Sequence, residues 1–590
     1  MKITSAEMPF TSSRKKSKDN DKIRMKKPNV IYALLFGLLM VFLFSFMVQE
    51  HFHPFKTKAL KGNFGKVEMP PLTVEFYKNG YFQKASEKYV SAHFGFREPI
   101  IRLYNQYCWD FFRKEYVSFT YVGKENWLFY GHNVNDYYGT EMYEWFANKE
   151  EARNAYDKEV RLLNKVRSIL EQYDVTLLTM VAPSKSSIYP EYLPRRDFDT
   201  TSLNARKYYL DHFAETGMPC LDMTEYFLKL KDTCSFYLFP PTGDHWNFST
   251  VYATDTLMRF MEQLRGIHMP RIEYGNEWRN TCCTGDDKNV DMEPDLNLMR
   301  PIRYNPKFNY KERDYEVVCD TACIKPIVLA IGNSFFFRIK NYIPPRQACS
   351  HFDFWYYNRV AYQGVEELID TVALIDRLGV LLDAEYVVWS SSASQMYRAT
   401  ESFAEDAIIQ LCIGEQRFEE RLNELNDSLY EGKGDLAKLD AMMRKDPEAY
   451  FPEIRGDSIP KTRNPRLLEE DFWAQRDIRR QIKHDPQWMA AITTKMPILE
   501  LKLQDAVDLE ATNVMEGRQL MRDTKTSCKE YKEMMIMKTI QQIKNNPTWY
   551  QTVVKDAEKK DVSIEQNLHD HAEYTVNTLI GEGTITLPED

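Results

Sequence analysis

The chain has 590 residues, 43% of them hydrophobic and 14% aromatic, which is enough for a large core and too long for one ordinary domain. A formal net charge of −9 argues against nucleic acid as the main partner and by itself names no other. Ten cysteines occur without a Cys-x-x-Cys or His-x-x-x-His spacing, so no metal and no cofactor is expected.

The basic residues gather at the start. Arg14, Lys15, Lys16, Lys18, Lys22, Arg24, Lys26 and Lys27 stand against Asp19 and Asp21, and the run Val30 to Val48 then carries no charge. A bilayer crossing takes about 20 apolar residues. The pattern predicts a cytoplasmic basic tail over 1–29 and a transmembrane helix over 30–48, with everything after Gln49 on the outside. A cleaved signal peptide fits less well, because the basic region is long and Gln49-Glu50-His51-Phe52 offers no small-x-small cut. An outward-facing domain permits disulfides. Cys319 and Cys323 lie close and Cys282-Cys283 are adjacent, but spacing alone sets no pairing.

Residues 49–115 read as a juxtamembrane helical segment, broken at Pro70-Pro71, with helices over Phe82–His93 and Ile100–Phe112. An α/β pattern spans 116–400. Helices are expected over Glu159–Tyr173, Arg206–Glu215 and Ser249–Arg265, and a strand over Val175–Val181. Ile327–Ile331 and Tyr386–Trp389 read as strands buried on both faces. Alternating strands and helices predict an α/β fold with a mostly parallel sheet flanked by helices. Asn276–Pro326 is poor in regular pattern and reads as an insertion or long loop. Over 401–590 the corners Asp446-Pro447, Asp485-Pro486 and Asn546-Pro547 recur, each followed by an aromatic residue. Asp or Asn caps a helix and Pro suits its first position, so this region is predicted all-α. It serves as a packing module or as a surface for a partner.

Two turns carry chemistry. The strand at Ile327 breaks into Gly332-Asn333-Ser334-Phe335, which puts a serine at the carboxyl end of a strand, where open α/β sheets hold their ligands. Upstream, Gly243-Asp244-His245-Trp246 supplies an imidazole and a carboxylate. A serine hydroxyl is a poor nucleophile until a base takes its proton, and histidine is the usual base near neutral pH. Ser334 is therefore the candidate nucleophile and His245 its base. Asp244 can orient the ring only if the turn is bent, since neighbours in extended chain point to opposite faces. Backbone N–H groups after Ser334 are natural oxyanion donors, and Phe335, Phe336 and Phe337 would exclude water. Lys185, Asn333 and Trp389, each close to a strand end, are candidate substrate-binding residues. Each site residue also has a plain structural reading: Ser334 a helix cap, His245 a core histidine, Lys185 half of an ion pair, Trp389 core.

These segments resemble the SGNH hydrolase-like acyltransferases of the alginate O-acetylation group, the AlgX/AlgJ or DHHW group. Gly332-Asn333-Ser334-Phe335 resembles that group's Gly-Asp-Ser-Phe turn, and Gly243-Asp244-His245-Trp246 its Asp-x-His-Trp motif. Phe94-Gly95-Phe96-Arg97-Glu98 is similar to its Phe-x-Phe-Arg-Asp segment, Gly123 to Tyr130 to its Gly-x-x-Gly-Trp-Leu-Phe turn, and Val181 to Lys185 with Ile188-Tyr189-Pro190 to its Pro-x-Lys and Tyr-Pro segment. Histidine before serine matches the group's permuted order. Two positions depart from the pattern: Gly243 stands where the group has Asp, and Asn333 where it usually has Asp. The resemblance implies a permuted SGNH-like domain in a single-pass inner-membrane protein with a periplasmic catalytic domain. It also implies an O-acyltransferase, above all an O-acetyltransferase, acting on a cell-surface or exported polysaccharide, with a multipass membrane acyltransferase as donor partner. A carbohydrate acetyl esterase and a non-catalytic polysaccharide-binding or assembly subunit stay open as alternatives.

Overall fold

The computed structural model describes residues 30–62, 67–114, 119–199, 202–281, 292–302, 310–343, 345–364, 368–398, 402–499, 501–524 and 528–581. The basic tail over 1–29 and the Cys282-Cys283 pair lie outside these residues. The chain divides into two compact units at Tyr104/Asn105.

The first unit opens with the helix Val30–Phe52, long and apolar enough to cross a membrane at a mean hydropathy of 2.6. It starts where the uncharged run starts and continues past Val48. Gln49, near its end, donates from Nε2 to Phe55 O (2.7 Å) and accepts from Phe55 N, which closes the helix exit. The short helices Val74–Lys78 and Tyr81–Ala92 follow, and neither buries a residue. The helix Arg97–Phe112 runs across the division between the units.

In the second unit, β1 (Thr120–Val122) and β2 (Leu128–Tyr130) form an antiparallel pair. The strands β3 (Thr176–Ala182) and β4 (Cys220–Asp222) come next, then the long β5 (Arg271–Thr281) and β6 (Tyr310–Val318). They are followed by β7 (Ile327–Gly332), β8 (His351–Tyr356), β9 (Val360–Gln363), β10 (Leu368–Thr371) and β11 (Tyr386–Ser392). The main sheet has the order β10-β9-β8-β7-β11-β3-β4. It is parallel from β8 to β4, with β9 and β10 as an antiparallel edge.

Strand period decides which core each side chain enters. On β7 and β11, Val328, Ala330, Tyr386 and Val388 enter one core, together with Phe335, Phe336 and the helix Ser249–Arg265. Leu329, Ile331, Val387 and Trp389 enter the other, with the helix Lys149–Gln172 and with Phe403, Ile408 and Phe418 from further along the chain. Both faces are covered, which is why these strands read as continuous apolar runs.

One expectation is corrected. The stretch read as a loop over Asn276–Pro326 contributes most of a two-stranded ribbon, in which β5 pairs antiparallel with β6. Its sequence hides this because charged residues such as Glu273, Glu277, Arg279, Lys311, Glu312 and Glu316 dilute the apolar alternation. Cys319 and Cys323 are disulfide-bonded just past β6, their Cα atoms 5.4 Å apart.

The Asx-Pro corners start helices as the capping argument requires: Pro447–Tyr450, Pro486–Leu499 and Pro547–Lys560. Asp485 Oδ1 accepts from Gln487 N and Trp488 N, and Asn546 Oδ1 from Trp549 N. Asp446 instead pairs with Lys158 at 3.1 Å. The helix Glu470–His484 is tied to the α/β part through a buried carboxylate. Asp383 accepts from Arg479 Nε (2.8 Å), Lys483 Nζ (2.9 Å) and Gln504 Nε2 (3.1 Å). Burial alone would raise the Asp383 carboxyl; Arg479 and Lys483 overcome it and hold the group at about 2. Removing one partner of a buried pair costs about 3–5 kcal/mol, so Asp383→Ala is expected to lower the melting temperature markedly. Because the folded value lies below the unfolded one of about 3.9, this stabilisation is complete above that pH and is lost as pH falls toward 2. Thermal melts between pH 2 and 5 should therefore show a steeper acid decline for the parent than for Asp383→Asn.

Candidate active site

The nucleophile turn is set by the close approach of β7 to β11. A Cβ on Gly332 would lie 3.0 Å from Phe336 Cβ and 3.2 Å from Ser390 Cβ, so a larger residue at the strand exit would have to push these neighbours back. Asn333 follows as the cap of the helix Ser334–Tyr342, its Oδ1 accepting from Phe335 N at 3.1 Å. Its Nδ2 donates to Gln395 Oε1 (3.0 Å) and Ser392 Oγ (3.4 Å), which binds the turn to the end of β11. Ser334 is the first residue of this helix and half-buried. The helix N-terminus brings its partial positive charge to that spot.

The histidine arrives on a loop fixed by buried polar contacts. Lys185, fully buried, donates from Nζ to Leu128 O (2.7 Å), Pro241 O (2.9 Å) and Gly243 O (2.8 Å). Its ammonium lies over the rings of Trp127 (5.1 Å) and Phe129 (5.0 Å). Asn247 Nδ2 donates to Tyr237 O and Ser249 Oγ to Leu238 O, which closes the other end of the loop. Trp246 Nε1 donates to Phe335 O at 3.1 Å and so joins the loop to the serine helix. Between these ties His245 Nε2 stands 2.7 Å from Ser334 Oγ, with the ring of Phe335 5.0 Å from its own.

Asp244 is buried and accepts from Asn133 Nδ2, and its Oδ2 lies 3.6 Å from His132 Nε2. Burial works to raise this carboxyl. The nearby His132, then His245 and Lys185, bring it down to about 2, so Asp244 is an anion near neutral pH. Asn133 and His132 belong to the helix Gly131–Tyr138, directly after β2. Sequence reasoning passed over them and over Gln395, although two polar residues right after an aromatic run at a strand-to-helix turn were a visible signal.

Three expectations are corrected. Lys185 does not face a substrate: three carbonyls take its donors and no surface is left open. Trp389 is 2% exposed and packs in the core beside Phe213, on the sheet face away from the Phe335 side, so it is no sugar platform. Asn333, 4% exposed, spends its amide on the cap and on β11 rather than on a ligand. Among the described residues no group of three or more His, Cys, Asp or Glu side chains converges as a metal site would.

Residues 120–283 match the model of the family described as SGNH hydrolase-like domain, acetyltransferase AlgX. The match contains Asp244 and His245 and ends before Ser334. No curated protein matches the chain. Among solved structures it is similar to the O-acetyltransferase domain of Pseudomonas putida AlgJ, at 15% identity over 48% of this chain and 93% of that one, with a TM-score of 0.33. It is similar to Pseudomonas aeruginosa AlgX at 12% identity over 50% and 67%, TM-score 0.31. The corresponding values for Bacillus cereus PatB1 with a sulfonyl adduct are 13%, 48% and 98%, TM-score 0.28. Residues 120–283 are thus similar to the SGNH hydrolase-like domain of acetyltransferase AlgX, and the fold brings a serine and a histidine together at the end of β7.

Proposed function

We propose that the protein is a membrane-anchored O-acyltransferase, in the first place an O-acetyltransferase, that moves an acyl group through Ser334 to a hydroxyl of a cell-surface or exported polysaccharide. The contact of 2.7 Å between His245 Nε2 and Ser334 Oγ carries this reading. His245 takes the hydroxyl proton as Ser334 Oγ attacks the acyl carbonyl. The oxyanion forms against the N-terminus of the serine helix, whose partial positive charge favours it, although Phe335 N–H is itself held by Asn333 Oδ1. Collapse expels the donor's leaving group, which takes the proton from His245. A sugar hydroxyl then gives its proton to His245 and attacks the acyl-enzyme, and Ser334 leaves and recovers that proton. Asp244 contributes a fixed negative charge that favours the imidazolium formed in each half. The buried ring of Phe335, 5.0 Å from that of His245, keeps water scarce beside the pair, which transfer requires.

The membrane part of the reading rests on the apolar helix Val30–Phe52 and the basic residues before it, which favour a cytoplasmic N-terminus and a periplasmic domain. The Cys319–Cys323 disulfide agrees with an oxidising compartment. Tethering raises the effective concentration of a membrane-bound donor, so a multipass acyltransferase that hands over the acyl group belongs to this proposal.

Incubation of the full chain with an activated acetyl ester should leave one acetyl group on Ser334, detected by mass spectrometry. Ser334→Ala should lose it, and His245→Ala should slow its formation by about 10²–10⁴-fold, the usual worth of a general base. A folded parent without the adduct removes the reading. Glycan binding that survives in Ser334→Ala, again without an adduct in the parent, would make the protein a binding subunit. Turnover to water with no transfer to any glycan would make it an esterase. For topology, a reporter enzyme that works only in an oxidising compartment should be active when fused after Asp590 and inactive before Met1; the reverse pattern would overturn the orientation.

A further inference from the structure

We propose that His132 is a second imidazole of the site, a positioning residue that works with Asn133 to hold Asp244 where its charge acts on His245. The inference rests on the Ser334–His245 reading and extends it to a residue outside both motifs.

The framework that delivers His132 is rigid. Leu128 of β2 donates from its N–H to Pro241 O, and its own carbonyl accepts from Lys185. The helix Gly131–Tyr138 therefore starts in fixed register with the loop that bears His245. In its first turn Asn133, fully buried, donates to one oxygen of Asp244, and the half-buried His132 lies 3.6 Å from the other. A buried carboxylate needs such donors. An amide alone would satisfy that need; an imidazole adds a group able to carry a positive charge beside the carboxylate. A proton on His132 offsets part of the Asp244 charge, and His245 then loses part of the field that favours its own protonated form.

Asp244 is faced by Asn133, His132, His245 and Lys185. His132 is faced by Asp244, the amide of Asn133, the ring of Tyr130 at 5.6 Å and, through its charge, the buried Asp136. Asp136 is itself lifted to about 6 by burial, against the hydrogen bond from Ser184 and the charge of Arg206. His245 is faced by Ser334, Phe335 and Asp244.

The test is the titration of the His245 ring, followed by NMR in the full chain labelled at histidine and held in detergent micelles. At the distances and effective dielectric of a half-buried site, one charge is worth about half a unit to one unit of midpoint. His132→Gln keeps a donor but removes the charge, and the His245 midpoint should rise by that amount. His132→Arg fixes the charge and should leave the midpoint at or below that of the parent. Asp244→Asn should lower it, and adding His132→Gln to Asp244→Asn should then change nothing further. An unmoved midpoint in His132→Gln, or an equal rise with and without Asp244, overturns the inference. Acetylation of Ser334 by the activated ester, measured over the same pH range, is the second readout. Its midpoint should follow the NMR value. A drop in plateau at every pH with a fixed midpoint would mark His132 as merely structural and overturn the inference. Absence of acetylation in the parent would fail the Ser334 reading, while the ring titration still decides whether His132 sets the charge felt by His245.

Discussion

Much of this molecule depends on where one ammonium is put. Lys185 follows β3 and its Nζ reaches into a dry space, where it binds the carbonyls of Leu128, Pro241 and Gly243. Burying a charge is costly. Here the cost is offset by three short hydrogen bonds, two aromatic faces and the nearby Asp244 anion. The result is that the end of β3, the β2 strand and the loop before His245 cannot shift independently. Gly243, at the place where a related motif would carry an acid, contributes its carbonyl instead, and the ring two residues later is set by that bond and by Trp246 reaching Phe335.

What could be read from the chain followed from local physics. β3, β7 and β11 announced themselves because both their faces are covered, and the helix Ser249–Arg265 because one face only is. The Asx-Pro corners were legible because a cap and a first-turn proline act within one helical turn. The serine and histidine turns were legible as turns; their meeting across 89 residues was an expectation that the 2.7 Å contact now meets. Lys185 was misjudged for the same reason in reverse, since its three partners stand 56 to 58 residues away. Trp389 was misjudged although strand parity places it with Val387 in the core and away from Val388. Strand β8 went unseen because His351 and Asp353, an ion pair at 3.2 Å, interrupt its apolar run. The ribbon β5–β6 went unseen because charges fill its exposed positions.

The helical part beyond residue 401 is joined to the α/β part by charge as much as by packing. Asp383 collects Arg479, Lys483 and Gln504, and Glu448 collects Arg161 at its bidentate fork and Lys165 at 2.8 Å. Such pairs add little net stability over an apolar contact, yet each permits only one docking geometry, because any slip strands a buried charge. Phe403, Ile408, Phe418 and Phe472 of this part join the core on the sheet face opposite the Phe335 cluster, and the serine and histidine stay half-buried.

The central position of β11 has a temporal consequence. It is the last strand of the sheet in the sequence, yet it lies in the middle, between β7 and β3. Until residues 386–392 have been made, β7 and β3 lack the strand that joins them. Asn333 acquires its partners Ser392 and Gln395 only at that moment. The turn that bears Ser334 thus gains its last hydrogen-bond partners only after nearly all of the α/β part has been made.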